Sequence, residues 1–191
     1  MNRPTRKKHL RVPKAARAAA PPDGRAPPRQ PEIACLQLRK LDGNRFAFQP
    51  PVCARDRNED LEEVREMVAA KELDIARDEL LYLVSDCRGF LEAHNLLGEL
   101  ALEDKDLSLA RGHFGFAYEI GLDSLPKGFA GVLPAGIDYN RAFFLAGRGL
   151  ARCLIAGGKR AEGRDVLQQL ARFDPQEEHV KALLAELASH L

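Results

Sequence analysis

The sequence predicts an all-α fold: three helix–turn–helix units stacked as a solenoid (three repeats plus a C-terminal capping helix), preceded by a small β-hairpin and a disordered N-terminal tail. Three observations carry this prediction. From about residue 58 onward, apolar residues recur with a period near 3.6. The chain has no Trp and few aromatic residues, so packing rests on Leu, Ala and Val, and Leu and Ala are strong helix formers. The apolar pattern also repeats: Ala76, Leu80 and Leu83 recur 34 residues later as Ala110, Phe114 and Ala117.

Residues 1–31 carry nine Lys/Arg against the single acid Asp23, leaving 20 Lys/Arg and 27 acids for the rest of the chain. Five of the twelve prolines fall between Pro21 and Pro31. With almost no large apolar side chains, this stretch cannot bury enough surface to offset the entropy of ordering, and it reads as a disordered basic Pro/Ala-rich tail. It has no apolar core for a secretory signal, and its lack of Ser and its prolines argue against a transit peptide. Phosphate attraction by the tail would make nucleic acid or the ribosome a partner, weakly and in a salt-dependent way. No aromatic residues are interleaved for base stacking.

Residues 32–54 form the predicted hairpin and linker. Leu36 and Leu38 alternate with polar residues, Asp42-Gly43-Asn44 turns the chain, and Phe46 and Phe48 alternate again. A three-residue loop pairs Leu38 with Phe48 and Lys40 with Phe46, gathering Leu36, Leu38, Phe46 and Phe48 on one face. A two-residue loop would pair Leu38 with Ala47 and split that set. Pro50 and Pro51 end the hairpin.

The repeat domain spans 57–191. Asp60 and Glu63 read as the cap and capping box of the first helix, which runs through Ala70. The next helices are marked by Leu73 to Val84, by 90–103, and by Leu107 to Ile120 with Gly121 as a stop. Residues 123–138 hold two Pro and three Gly and form a long loop. Helices follow at 140–156 and 159–172. Asp174-Pro175-Gln176-Glu177 supplies a cap, a first-turn Pro and a capping-box Glu for the last helix, which has Val180, Leu183, Leu184 and Leu187 on one face. Leu97, Gly98, Phe114, Ala117 and Leu122 recur 53 residues later as Leu150, Ala151, Leu167, Leu170 and Pro175. The excess over 34 is the length of the Gly/Pro loop and its flanks, so the units lie near 57–90, 91–124 and 144–177.

On these residues (Leu97-Gly98, Ala110, Phe114 and Ala117; Leu150-Ala151, Gly158, Leu167, Leu170 and Asp174-Pro175), segments 91–124 and 144–177 resemble the tetratricopeptide repeat family. The first unit departs from it with Glu63-Val64, and His94, Gly147 and Gly163 depart at single positions. The resemblance implies a TPR-like solenoid in which small residues let paired helices approach closely. It also implies a non-catalytic protein-interaction scaffold that binds a peptide or partner protein in a groove lined by polar positions of each first helix. Those positions fall on Arg65, on Asn95 and Glu99, and on Arg148 and Arg152. The last two are four apart and could together grip a carboxylate. The family's clamp for C-terminal carboxylates needs Lys and Asn where this chain has Leu61 and Arg65, so that specificity is not implied.

Other chemistry finds little support. His94 and Glu99 lie about 500° apart around a helix, leaving roughly 140° between them, so they do not share a face. His94 reads as a packing residue. No zinc-type spacing joins Cys35, Cys53, Cys87 and Cys153 to one another or to histidines, and these read as reduced cytosolic thiols. "AGGKR" at 156–160 lacks the spacing of a phosphate loop. The expected protein is cytoplasmic, with no cofactor and no metal. No apolar run reaches the ~18 residues that span a bilayer.

Overall fold

In the computed structural model, residues 36–137 and 139–189 are described; the predicted tail at 1–31 lies outside them. Strands β1 (Gln37–Lys40) and β2 (Phe46–Gln49) pair antiparallel, with Leu38 opposite Phe48 and Lys40 opposite Phe46. This is the register of the three-residue loop. Leu41 and Arg45 close it through a bond from the Leu41 N–H to the Arg45 carbonyl, and Gly43 supplies the left-handed backbone at φ +48°. Helix begins earlier than the predicted linker allows: α1 (Val52–Asp56) starts directly after Pro51 and leads into α2 (Asn58–Ala69).

The solenoid follows as α2 with α3 (Leu73–Asp86), α4 (Leu91–Glu103) with α5 (Leu107–Asp123), and α6 (Asn140–Ala156) with α7 (Arg160–Phe173). Helix α8 (Glu178–Ser189) closes the end. The phase of the three units is written in their turns. Lys71, Lys105 and Gly158 all have positive φ (64°, 63° and 80°), and they stand at the 34- and 53-residue spacings of the sequence repeat. In each turn the following N–H reaches back to the carbonyl five residues earlier: Glu72 to Met67, Asp106 to Ala101, Lys159 to Leu154. This is the Schellman closure, and it identifies the divergent first unit as a repeat equivalent to the others. The repeated positions Ala76, Leu80, Leu83, Ala110, Phe114, Ala117, Ala151, Leu167 and Leu170 are all buried.

Packing between units centres on Phe114. A Cβ added at Gly98 on α4 would lie 2.7 Å from the Phe114 ring, and one at Gly149 on α6 would lie 2.5 Å from it. In the third unit the close approach is backbone to helix: a Cβ at Gly163 would sit 3.0 Å from the Ala151 carbonyl oxygen. Gly121, predicted to end α5, instead lies inside it, because its missing side chain makes room for Phe143.

The loop at 124–139 joins the hairpin to the helical body. Val132 bridges Arg45, the Phe46 N–H donates to the Val132 carbonyl, and the Leu133 N–H donates to the Phe173 carbonyl. Phe129 packs edge-on to Phe46. Asn140, fully buried, accepts from the Phe48 N–H at 2.8 Å and donates to the Phe46 and Pro134 carbonyls.

Three local expectations change. Asp60 does not cap α2; it pairs with Arg57, which also reaches Asp86. Asp174 does not cap the last helix either: one carboxylate oxygen accepts from the Ala135 N–H and the other from the Gln176 N–H. Glu177 takes the capping role by accepting from the Val180 N–H. The cysteines differ most. Cys53 and Cys87 form a disulfide with their Cα atoms 5.7 Å apart, while Cys153 is free and buried. They are 34 residues apart in sequence, but the antiparallel α2 and α3 return the chain so that the end of α3 meets α1.

Two outcomes are expected. Gly98→Val should destabilise the protein by at least about 2 kcal/mol, and pairing it with Phe114→Leu should recover part of that loss in a double-mutant cycle read by urea unfolding. Strictly additive losses would refute the contact. Alkylation of the denatured, unreduced chain should leave two thiols blocked, and reduction should lower stability by about 3–4 kcal/mol for a loop of this length. Four reactive thiols before reduction would refute the bond.

Candidate binding groove and the opposite face of helix four

Helix α4 separates two hollows. A groove of about 400 Å³ runs between α2, α4 and α6. It is lined by Arg65 from α2, by Glu92, Asn95, Leu96 and Glu99 from α4, and by Arg141, Ala142 and Leu145 from α6. The structure thus brings Arg65, Asn95 and Glu99 into one site. Arg148 and Arg152 line two other hollows, one with Asp174 and Glu177, the other with Arg160 and Glu186. Helix α6 faces the groove with its first two turns, which is why Arg141, Ala142 and Leu145 stand opposite α4 where Arg148 and Arg152 were expected.

Arg148 also has a partner of its own. Its Nη1 lies 3.0 Å from Oε1 of Glu177, a carboxylate whose side chain is only 9% exposed and which also caps α8. Burial pulls the guanidinium below its ordinary value, and Glu177 opposes that shift. The pair holds the capping helix on α6.

Asn95 is 4% exposed. Its Nδ2 donates to the Ala142 carbonyl at 2.9 Å and so ties α4 to α6 across the groove floor. Its Oδ1 is buried and has no hydrogen-bond partner among the described residues. Arg65 bridges Glu62 and Glu92. Arg141 donates to the Gly136 carbonyl at 3.4 Å. Loss of water raises the Glu92 carboxyl, with Arg65 opposing. The Glu99 carboxyl rises for the same first cause and secondly because Glu103 lies close; again Arg65 opposes. Glu92 is legible in hindsight, since it lies one turn from Asn95 on the same face. Leu145 is the 53-residue counterpart of Glu92, whereas Arg141 stands ahead of the third unit as the repeat delimits it.

The other hollow, about 450 Å³, lies between α3, α4 and α5, and His94 and His113 line it with Arg88, Leu81 and Phe116 among others. His94 and Glu99 therefore open to different hollows, as their helical angle requires. The His94 Nε2–H donates to the Arg88 carbonyl at 3.2 Å, so its Nδ1 is the acceptor for the His113 Nδ1–H at 3.4 Å. Burial, and secondly His113, push the His94 imidazole down to about 4. His113 is lowered by burial.

The unfolded chain protonates His94 near its ordinary value while the folded chain resists down to about 4. Stability should therefore be full above about pH 6.5 and fall toward pH 4, with this one group contributing up to about 1.4 kcal/mol per pH unit. Urea titrations of the wild type and His94→Phe across that window should show a shallower fall for the variant. An unchanged slope would remove His94 from the account.

Among the described residues, no helix is long and apolar enough to cross a membrane. No curated protein matches the chain. Residues 137–187, which contain α6, α7 and most of α8, match the tetratricopeptide repeat family model. The match covers the third helix pair and most of the capping helix, and with the three in-phase helix pairs and the repeated Schellman turns it makes this part of the chain similar to the tetratricopeptide repeat family.

Proposed function

We propose that the chain is a non-catalytic interaction scaffold whose groove between α2, α4 and α6 takes an extended segment of a partner protein. The observation that carries this reading is Asn95. Leaving a buried carbonyl oxygen without a donor costs about 1–3 kcal/mol, and a peptide N–H or side-chain donor seated in the groove would remove that cost. The groove is polar and open, and it lies between successive first helices, where a solenoid presents a continuous surface. The tetratricopeptide family match supports the same reading.

A second reading assigns nucleic acid or the ribosome to the basic residues 1–31 and is favoured by their charge alone. Deleting them should then abolish retention on heparin at low salt. The cytoplasmic location expected from sequence and the Cys53–Cys87 bond point in opposite directions, because cytosolic thiols are kept reduced. Thiol trapping in intact cells separates the two.

A photo-crosslinking amino acid at Leu96 should capture partners, and the same group at Leu81, in the opposite hollow, should not. Arg65→Glu combined with Glu99→Arg should weaken capture at least tenfold, about 1.4 kcal/mol, with the melting temperature little changed. Capture from Leu81 and not Leu96 would place the interaction on the other face.

A further inference from the structure

We infer that the groove between α2, α4 and α6 selects a cationic side chain, Arg or Lys, from the partner peptide, with Asn95 Oδ1 and the Glu99 carboxylate as its acceptors. The inference rests on the groove being the peptide site and adds the class of residue it reads. It follows from which hydrogen-bonding groups in the groove are already used.

Both groove cations have acceptors within the chain: Arg65 bridges Glu62 and Glu92, and Arg141 reaches the Gly136 carbonyl. The groove's free capacity lies on the acceptor side. Asn95 Oδ1 is buried without a donor, and the Glu99 carboxylate has no hydrogen bond or ion pair among the described residues. Their spacing of four residues stacks them one turn apart on the same face of α4. An amide carbonyl above a carboxylate can only accept, so the matching ligand group carries several N–H donors and a positive charge. A carboxylate ligand would meet two acceptors and the negative charges of Glu92 and Glu99, with Glu103 close by. The elevated carboxyls of Glu92 and Glu99 agree, since the charge of a bound cation would offset the desolvation that raises them, as Arg65 already does in part. This polarity is the reverse of the carboxylate grip expected of Arg148 and Arg152; Arg148 already holds Glu177.

The test uses the full chain, isotopically labelled, and four N-acetylated, C-amidated nonapeptides. Each is polyalanine with a central Arg, Lys, Glu or norleucine. Chemical shifts of the Asn95 side-chain amide and of the α4 backbone report occupancy. The Arg or Lys peptide, or both, should shift these resonances saturably and at least tenfold more tightly than the Glu and norleucine peptides, and the Arg and Lys arms show which cation is preferred. Glu99→Gln, an exposed and near-isosteric change, should weaken the cationic peptides at least fivefold and leave the norleucine peptide unaffected. Asn95→Ala removes a tie to α6 and is therefore read only alongside Glu99→Gln. Equal binding of the norleucine or Glu peptide would overturn the cation inference and leave the groove as a peptide site. Absence of any shift in α4 with all four peptides would overturn the inference, with the groove itself judged separately by the crosslinks from Leu96.

Discussion

The Phe114 ring lies where three helices meet, and the room it needs sets the rest of the architecture. Gly98 and Gly149 approach it from α4 and α6, each so closely that a single added carbon would collide. A glycine inside a helix costs roughly 0.5–1 kcal/mol relative to Ala, and close packing of a large aromatic ring must offset that cost twice. With α4, α5 and α6 drawn together on the ring, Asn95 comes within reach of the Ala142 carbonyl and Glu99 stands across from the start of α6. The groove is thus a consequence of how the core is packed.

Helix α4 also divides the molecule by chemistry. One side meets α3 and α5 with His94, which burial keeps neutral and which bonds to a carbonyl and to a second histidine. The side facing α2 and α6 carries Asn95 and Glu99, with acceptor capacity left over. On the histidine face, His94 has a partner at each ring nitrogen. The acceptor face keeps a buried oxygen, Asn95 Oδ1, without a donor among the described residues, and that asymmetry directs the proposed function to the groove.

The solenoid's ends and its insertion are secured by different means. The Cys53–Cys87 bond and Arg57, which pairs with Asp60 and Asp86, tie the first unit together. The Arg148–Glu177 pair and the Glu177 cap seat α8 against the last unit. Between them, the hairpin is marginal as two isolated strands. It gains a third neighbour in the insertion and a buried anchor in Asn140, which completes hydrogen bonds for both Phe46 and Phe48. The insertion therefore serves the packing of the hairpin: Phe129 is half-buried against Phe46, and Tyr139 is buried. The Tyr139 hydroxyl accepts from the Leu91 N–H at the start of α4.

By itself the sequence determined the features that depend on near neighbours along the chain. Apolar periodicity marked every long helix, the 34- and 53-residue recurrences set the phase of the units, and alternation at Leu36, Leu38, Phe46 and Phe48 selected the hairpin register. Half of the candidate site was equally local: Asn95 and Glu99 share a face because helical geometry puts residues four apart together. Tertiary structure alone decided which distant groups meet. It joined Cys53 to Cys87, turned Asp174 toward the Ala135 N–H, gave Arg148 to Glu177 and set Arg141 across the groove from Asn95. The physical reason is that helix period and turn chemistry are fixed within a few residues, whereas the offset between stacked helices depends on a core contact, Phe114 between Gly98 and Gly149, that no spacing in the sequence expresses.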